Sequence, residues 1–116
     1  MSELLPFALT PDATEYVRSH LQQPGPGEEL ALITVLRRSC VADGKERVWF
    51  EGEHFMIGTY DVGQRPHADH VDLFGYRVSV LPSTLDALRG RTLSVRHVTE
   101  RRGWFRKVIR DVLVAS

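Results

Sequence analysis

The spacing of apolar positions changes several times along the chain, and each change marks an element. Ala13, Val17 and Leu21 recur every four residues, with Tyr16 and His20 beside them, which predicts a helix. Thr10 supplies a capping hydroxyl, and Pro11 suits the first helical position because its missing N–H would have no partner there. Pro24-Gly25-Pro26-Gly27 stops the run. Residues 30–36 read as a strand, apolar on both faces at its start and β-branched at Ile33, Thr34 and Val35. Arg37, Arg38, Ser39 and Cys40 close it, and Ala42-Asp43-Gly44-Lys45 is a turn.

Residues 47–51 and 54–60 then predict a hairpin about Gly52-Glu53, with Val48 and Phe50 on one face and Trp49 on the other. Residues 61–69 are polar, hold Gly63 and Pro66, and read as a loop. Short strands are expected at 71–74 and 76–80, around Gly75. Ser83-Thr84-Leu85-Asp86 resembles a capping box opening a short helix that ends at Gly90, and 92–98 is another strand. In the tail, Trp104, Phe105, Val108, Ile109, Val112 and Leu113 lie on one stripe of a helix, although Val112-Leu113-Val114 also suits a strand.

This order predicts an α+β fold: an N-terminal helix, mostly antiparallel or mixed strands with a short helix among them, and a C-terminal helical tail. The 116 residues suit a single domain, with a core over about 9–98 and a tail over 99–116. No apolar run approaches the roughly 18–20 residues that a membrane span needs, and residues 1–9 lack the pattern of a secretory signal. Fifteen basic and fifteen acidic residues cancel, so no global charge draws the chain to nucleic acid or to an anionic membrane. The single cysteine, Cys40, excludes an intrachain disulfide and an all-cysteine metal site within one chain, and fits a cytoplasmic setting.

Three stretches resemble the HesB-like family of A-type iron–sulfur cluster carriers. Leu9-Thr10-Pro11-Asp12-Ala13 is similar to the family's Leu-Thr-Pro-x-Ala helix start. The strand from Val35 into Cys40 is similar to the one leading to the family's first cysteine. Gly75-Tyr76-Arg77-Val78-Ser79-Val80, with Thr84, Leu85, Leu88, Gly90 and Leu93, resembles the family's Gly-Val-x-Val-x-Val strand and its Ser-Leu, Leu-x-Gly and Leu positions further along. The resemblance implies a HesB-like domain and a homodimer. It does not extend to the ligands. Val41-Ala42 stands after Cys40 where the family has Ser-Gly, Leu81 replaces the family's Asp, and no Cys-x-Cys pair closes the chain. One cysteine cannot furnish the thiolates or imidazoles that a cluster needs for each iron.

Two sets of side chains remain as candidates. Cys40 with His67 and His70 has the donor types of a metal or cluster site shared across a dimer, with His54 available to complete it. Trp104, Phe105, Arg106 and Arg110 mark a basic, aromatic tail that would grip a partner, or nucleic acid as the less favoured reading. No phosphate loop, nucleophile elbow or positioned acid–base pair is visible, so no enzymatic activity is expected. The reading is therefore a non-enzymatic HesB-like domain acting through contact with a second copy or another protein. No cofactor is expected, and an iron–sulfur cluster or divalent metal is the alternative.

Overall fold

Pro11 starts the first helix, α1 (Pro11–His20), and the Thr10 hydroxyl accepts from the Ala13 N–H as the cap requires. The computed structural model describes residues 5–64, 66–102 and 106–116; at 101 and 102 it describes the backbone only. Just before α1, the two-residue strand β1 (Ala8–Leu9) runs parallel to β6 (Thr92–Arg102). Hydrogen bonds from Ala8 N to Arg91 O and from Thr10 N to Leu93 O hang the helix from β6.

Four of the other strands form two long hairpins. β2 (Glu28–Ala42) and β3 (Lys45–Asp61) pair antiparallel around Asp43 and Gly44, whose φ values of 54° and 73° are those of a tight two-residue turn. β6 pairs antiparallel with β7 (Arg106–Ala115) from Leu93↔Ala115 to Arg102↔Arg106. A shorter hairpin, β4 (Asp69–Leu73) and β5 (Tyr76–Val80), joins β2 through parallel pairing of β5 with Leu30–Leu32. The seven strands make one sheet, ordered β1-β6-β7-β3-β2-β5-β4 and curled into a half-barrel. α2 (Pro82–Leu88) links β5 to β6.

The register explains the core. Leu30 sits opposite Val78, Leu32 opposite Val80 and Ile57, and Phe55 opposite Leu113. This side of the sheet packs against Ala13 and Val17 of α1 and Leu85 and Leu88 of α2. Each large apolar side chain buried there contributes about 1.5–3 kcal/mol. Among the described residues β3 and β7 meet in register only at Phe55↔Leu113, so the far halves of the two hairpins run on as arms that touch through side chains. The radius of gyration, 15.5 Å, exceeds the about 13 Å of a compact chain this long.

Several expectations are overturned. The fold is mostly sheet, with 59% strand against 19% helix, and is not an α+β arrangement ending in a helical tail. The tail is β7, because its β-branched Val108, Ile109, Val112 and Val114 favour extended backbone and β6 offers a complete antiparallel partner. Its apolar doublets fit a strand with apolar groups on both faces as well as a helical stripe. Gly52 is no hairpin turn: its φ of 122° marks an irregularity inside the continuous strand β3, where pairing with β2 slips between Val35 and Arg37. The capping box is absent too, since Leu81 occupies the cap of α2 without a side-chain bond and Thr84 is buried against Thr34, hydroxyl to hydroxyl at 3.0 Å.

Candidate functional site

α1 buries Ala13 and Val17, and its helical period therefore turns Asp12, Glu15, Tyr16, Ser19 and His20 to a different side. These five side chains form one wall of a groove of about 640 Å³. The opposite wall comes from the arms: Arg38 of β2, Trp49 of β3, Val95 and His97 of β6, and Arg110 and Asp111 of β7. The tie between β1 and β6 thus places the helix beside residues far away in sequence.

Trp49 is the centre of the arm wall. The guanidinium of Arg38 lies 4.9 Å from its ring centroid and that of Arg110 lies 4.8 Å from it. Such cation–π contacts contribute about 0.5–2 kcal/mol. Arg110 is fixed further by donating from Nε to Glu100 at 2.8 Å, a pair whose side chains are only 27% and 11% exposed. Arg38 is half-buried and, among the described residues, its guanidinium has no carboxylate or carbonyl partner.

The remaining polar groups are mostly engaged. Asp111 faces His97 across the β6–β7 ladder, with its carboxylate 2.5 Å from the imidazole Nδ1. Asp12 accepts from Thr10 and from the Ala13 N–H, and the Thr10 hydrogen bond is the main reason its carboxyl is held below the usual 3.8. Tyr16 stacks on His20 at 4.2 Å, and burial pushes its hydroxyl above the usual range, partly offset by the nearby Arg38 charge. The groove therefore offers flat aromatic surface, the engaged acids Asp12 and Asp111, the exposed Glu15 and, among the described residues, a half-buried cation, Arg38, without a carboxylate partner. Ser19 Oγ lies 3.1 Å from His20 Nδ1, but the hydroxyl donates to the Tyr16 carbonyl at 2.7 Å and His20 Nδ1 lies 2.8 Å from the same carbonyl, so that nitrogen is turned to the helix backbone and is not set as a base for the serine.

The expected metal donors do not converge. Cys40 lies on the distal arm, where its Sγ donates to Glu100 at 3.4 Å. His70 is on β4, with Nε2 3.3 Å from Glu29. It faces Ser79, which faces Ala31, and Cys40 lies nine residues beyond Ala31, about 30 Å along the strand. His67 is exposed in the turn before β4. His54 is fully buried, its Nδ1–H donating to the Gly52 carbonyl at 2.8 Å, while Nε2 has no partner among the described residues. Among those residues, no three histidine, cysteine, aspartate or glutamate side chains are grouped to hold a metal.

Of the expected partner-binding residues, Arg110 lines the groove and Arg106 is exposed at the far end of β7. Trp104 and Phe105 lie outside the described residues. Sequence reasoning misses Tyr16, His20, Arg38, Trp49 and His97 as a set. The available hints are the polar face of α1 and Trp49 turned away from Val48 and Phe50.

Comparison with protein-family models, curated proteins and solved structures returns no match. No helix among the described residues is long and apolar enough to cross a membrane.

Proposed function

We propose that this chain is a non-enzymatic binding domain acting by protein–protein contact. Its groove between α1 and the arms holds a partner segment that carries a carboxylate and an aromatic side chain. Arg38 carries this reading: it is half-buried, laid on Trp49 and without an anionic partner among the described residues. A partly desolvated guanidinium gains most from a carboxylate that approaches its fork in plane. The other charges of the groove leave this role to Arg38, because Arg110 is held by Glu100 and Asp111 lies against His97. Tyr16, His20 and Trp49 supply the aromatic surface that protein interfaces favour.

The resemblance to the HesB-like proteins of iron–sulfur cluster biogenesis supports kinship in sequence pattern, and the single cysteine suits a cytoplasmic setting. It does not support cluster carriage, since Cys40 is bonded to Glu100 and stands far from His70. The test is fluorescence anisotropy with a labelled peptide of alternating Glu and Phe, and with a basic peptide of equal length. The acidic peptide binds and the basic one does not. Arg38→Gln weakens the acidic peptide about tenfold, the scale of one charge-assisted hydrogen bond. Equal binding of both peptides, or no effect of Arg38→Gln, contradicts the reading.

One observation favours nucleic acid as a second reading. Lys107 faces Arg101 and Arg106 faces Arg102 at the end of the β6–β7 hairpin. The register thus gathers four basic positions at one end of the ribbon, which suits an anionic nucleic-acid backbone. Salt-dependent binding of single-stranded oligonucleotide that is lost in the Arg106→Glu/Lys107→Glu protein, with peptide binding intact, would mark that reading as correct.

A further inference from the structure

The sheet ends at β1, only two residues long, and at β4, five residues long. The turn that joins β4 to β5 determines which backbone groups β4 leaves open. Phe74 and Gly75 both have positive φ, 52° and 88°, so they form a two-residue hairpin turn closed by the hydrogen-bonded pair Leu73–Tyr76. Hydrogen-bonded and non-hydrogen-bonded pairs alternate along an antiparallel ladder. Val71–Val78 and Asp69–Val80 therefore also bond to each other, whereas His70 and Asp72 turn their N–H and C=O groups away from β5. Among the described residues, neither makes a backbone hydrogen bond beyond the sheet.

Only another strand can use both outward pairs together, and a second copy of β4 presents the same spacing. In a two-fold antiparallel arrangement, outward residues must face outward residues. Three registers meet that condition. One puts His70 opposite His70, one puts Asp72 opposite Asp72, and the third centres on Val71 and puts His70 of each copy opposite Asp72 of the other. The Asp72–Asp72 register opposes like charges and is disfavoured. The His70–Asp72 register sets Val71 against Val71 and twice places an imidazole, whose Nε2 meets Glu29 of its own chain, beside a carboxylate whose Oδ1 accepts from its own Gly75 N–H, leaving Nδ1 and Oδ2 for the contact between copies. It is also the most extensive of the three, because it overlays the strand on itself end to end.

We infer that β4 is a homodimer edge, joining two half-barrels into one continuous sheet through the register centred on Val71. Neither copy's groove takes part, since no β4 residue lines it. Five residues of paired strand bury much less than the roughly 1,600 Å² of a standard interface, so dimerisation is weak and depends on concentration.

Sedimentation velocity of the full chain, from micromolar to millimolar concentration, tests this. The wild type passes from monomer to dimer. His70→Pro removes the outward N–H, which an edge strand tolerates, together with the imidazole and its contact with Glu29, and holds the chain monomeric. His70→Asp sets two carboxylates against each other and weakens the dimer about tenfold, and His70→Lys strengthens it by a similar factor. The exchange His70→Asp/Asp72→His keeps the pair in swapped positions and restores dimerisation. Circular dichroism confirms that each variant keeps its sheet. A monomer at every concentration, or a dimer indifferent to both His70→Pro and His70→Asp, overturns the inference. Peptide binding in the groove is expected to be the same in all these variants, so the two proposals fail separately.

Discussion

Cys40 and Glu100, sixty positions apart in the chain, meet across the two arms with Sγ 3.4 Å from the carboxylate. The same carboxylate holds Arg110, which lies on Trp49. The cysteine that the family resemblance marks as a ligand is thus part of the bracing behind the groove. Cys40→Ser keeps a donor for Glu100 and costs less than about 1 kcal/mol. Glu100→Ala leaves a mostly buried guanidinium without its acceptor and costs about 1–3 kcal/mol. Urea denaturation of the two variants checks the order, and equal losses would contradict it.

Cluster carriage gives a second test. After anaerobic reconstitution with iron and sulfide, the protein shows no stable visible cluster band. A chromophore that persists through gel filtration and vanishes in Cys40→Ser would refute this.

Glu15 stands on the exposed wall of the groove, where it opposes an incoming carboxylate. Glu15→Gln therefore tightens the acidic peptide about two- to fivefold at low salt, an effect that fades as salt screens it. Anisotropy titrations at two salt concentrations read both trends. Weaker binding in this variant would show that the carboxylate enters elsewhere.

His54 separates a lost bond from a lost volume. His54→Leu gives up one hydrogen bond, worth about 1 kcal/mol, but also removes the unpartnered Nε2, so stability changes by less than about 1 kcal/mol. His54→Ala opens a cavity beside Phe50 and costs about 2–4 kcal/mol. Similar losses in both would mean that Nε2 has a partner in solution.

Asp12 links pH to stability. Its folded carboxyl titrates below 3.8, mainly because of the Thr10 hydrogen bond, while in the unfolded chain it titrates near that value. The stabilisation is therefore present above 3.8 and lost as pH falls through the folded value. Thermal melts of Asp12→Asn should fall below wild type at neutral pH and converge with it in strong acid. A constant gap across that window would assign the effect to something other than titration.

The first helix is legible in Thr10, Pro11 and the four-residue apolar spacing, and the Asp43-Gly44 turn is legible in its residue types. Both signals are local. Arg106–Ala115 reads wrongly as helix because Val108, Ile109, Val112 and Leu113 satisfy a helical stripe and a two-faced strand equally well, and only pairing with Leu93–Arg102 decides between them. The groove is illegible for the same reason. Tyr16, Arg38, Trp49 and His97 come from four elements, and nothing local in the sequence says that β1 ties α1 to β6 beside them. Cys40 and His70 stand apart within one chain because β2 is one long strand, which separates them.

The most direct measurement of the central claim is backbone and indole amide mapping of the labelled protein during titration with the acidic peptide. The account predicts shifts concentrated at Tyr16, His20, Arg38, His97 and the Trp49 indole, abolished by Arg38→Gln. Shifts confined to β4 or to the end of the β6–β7 hairpin, or none at saturating peptide, would contradict it.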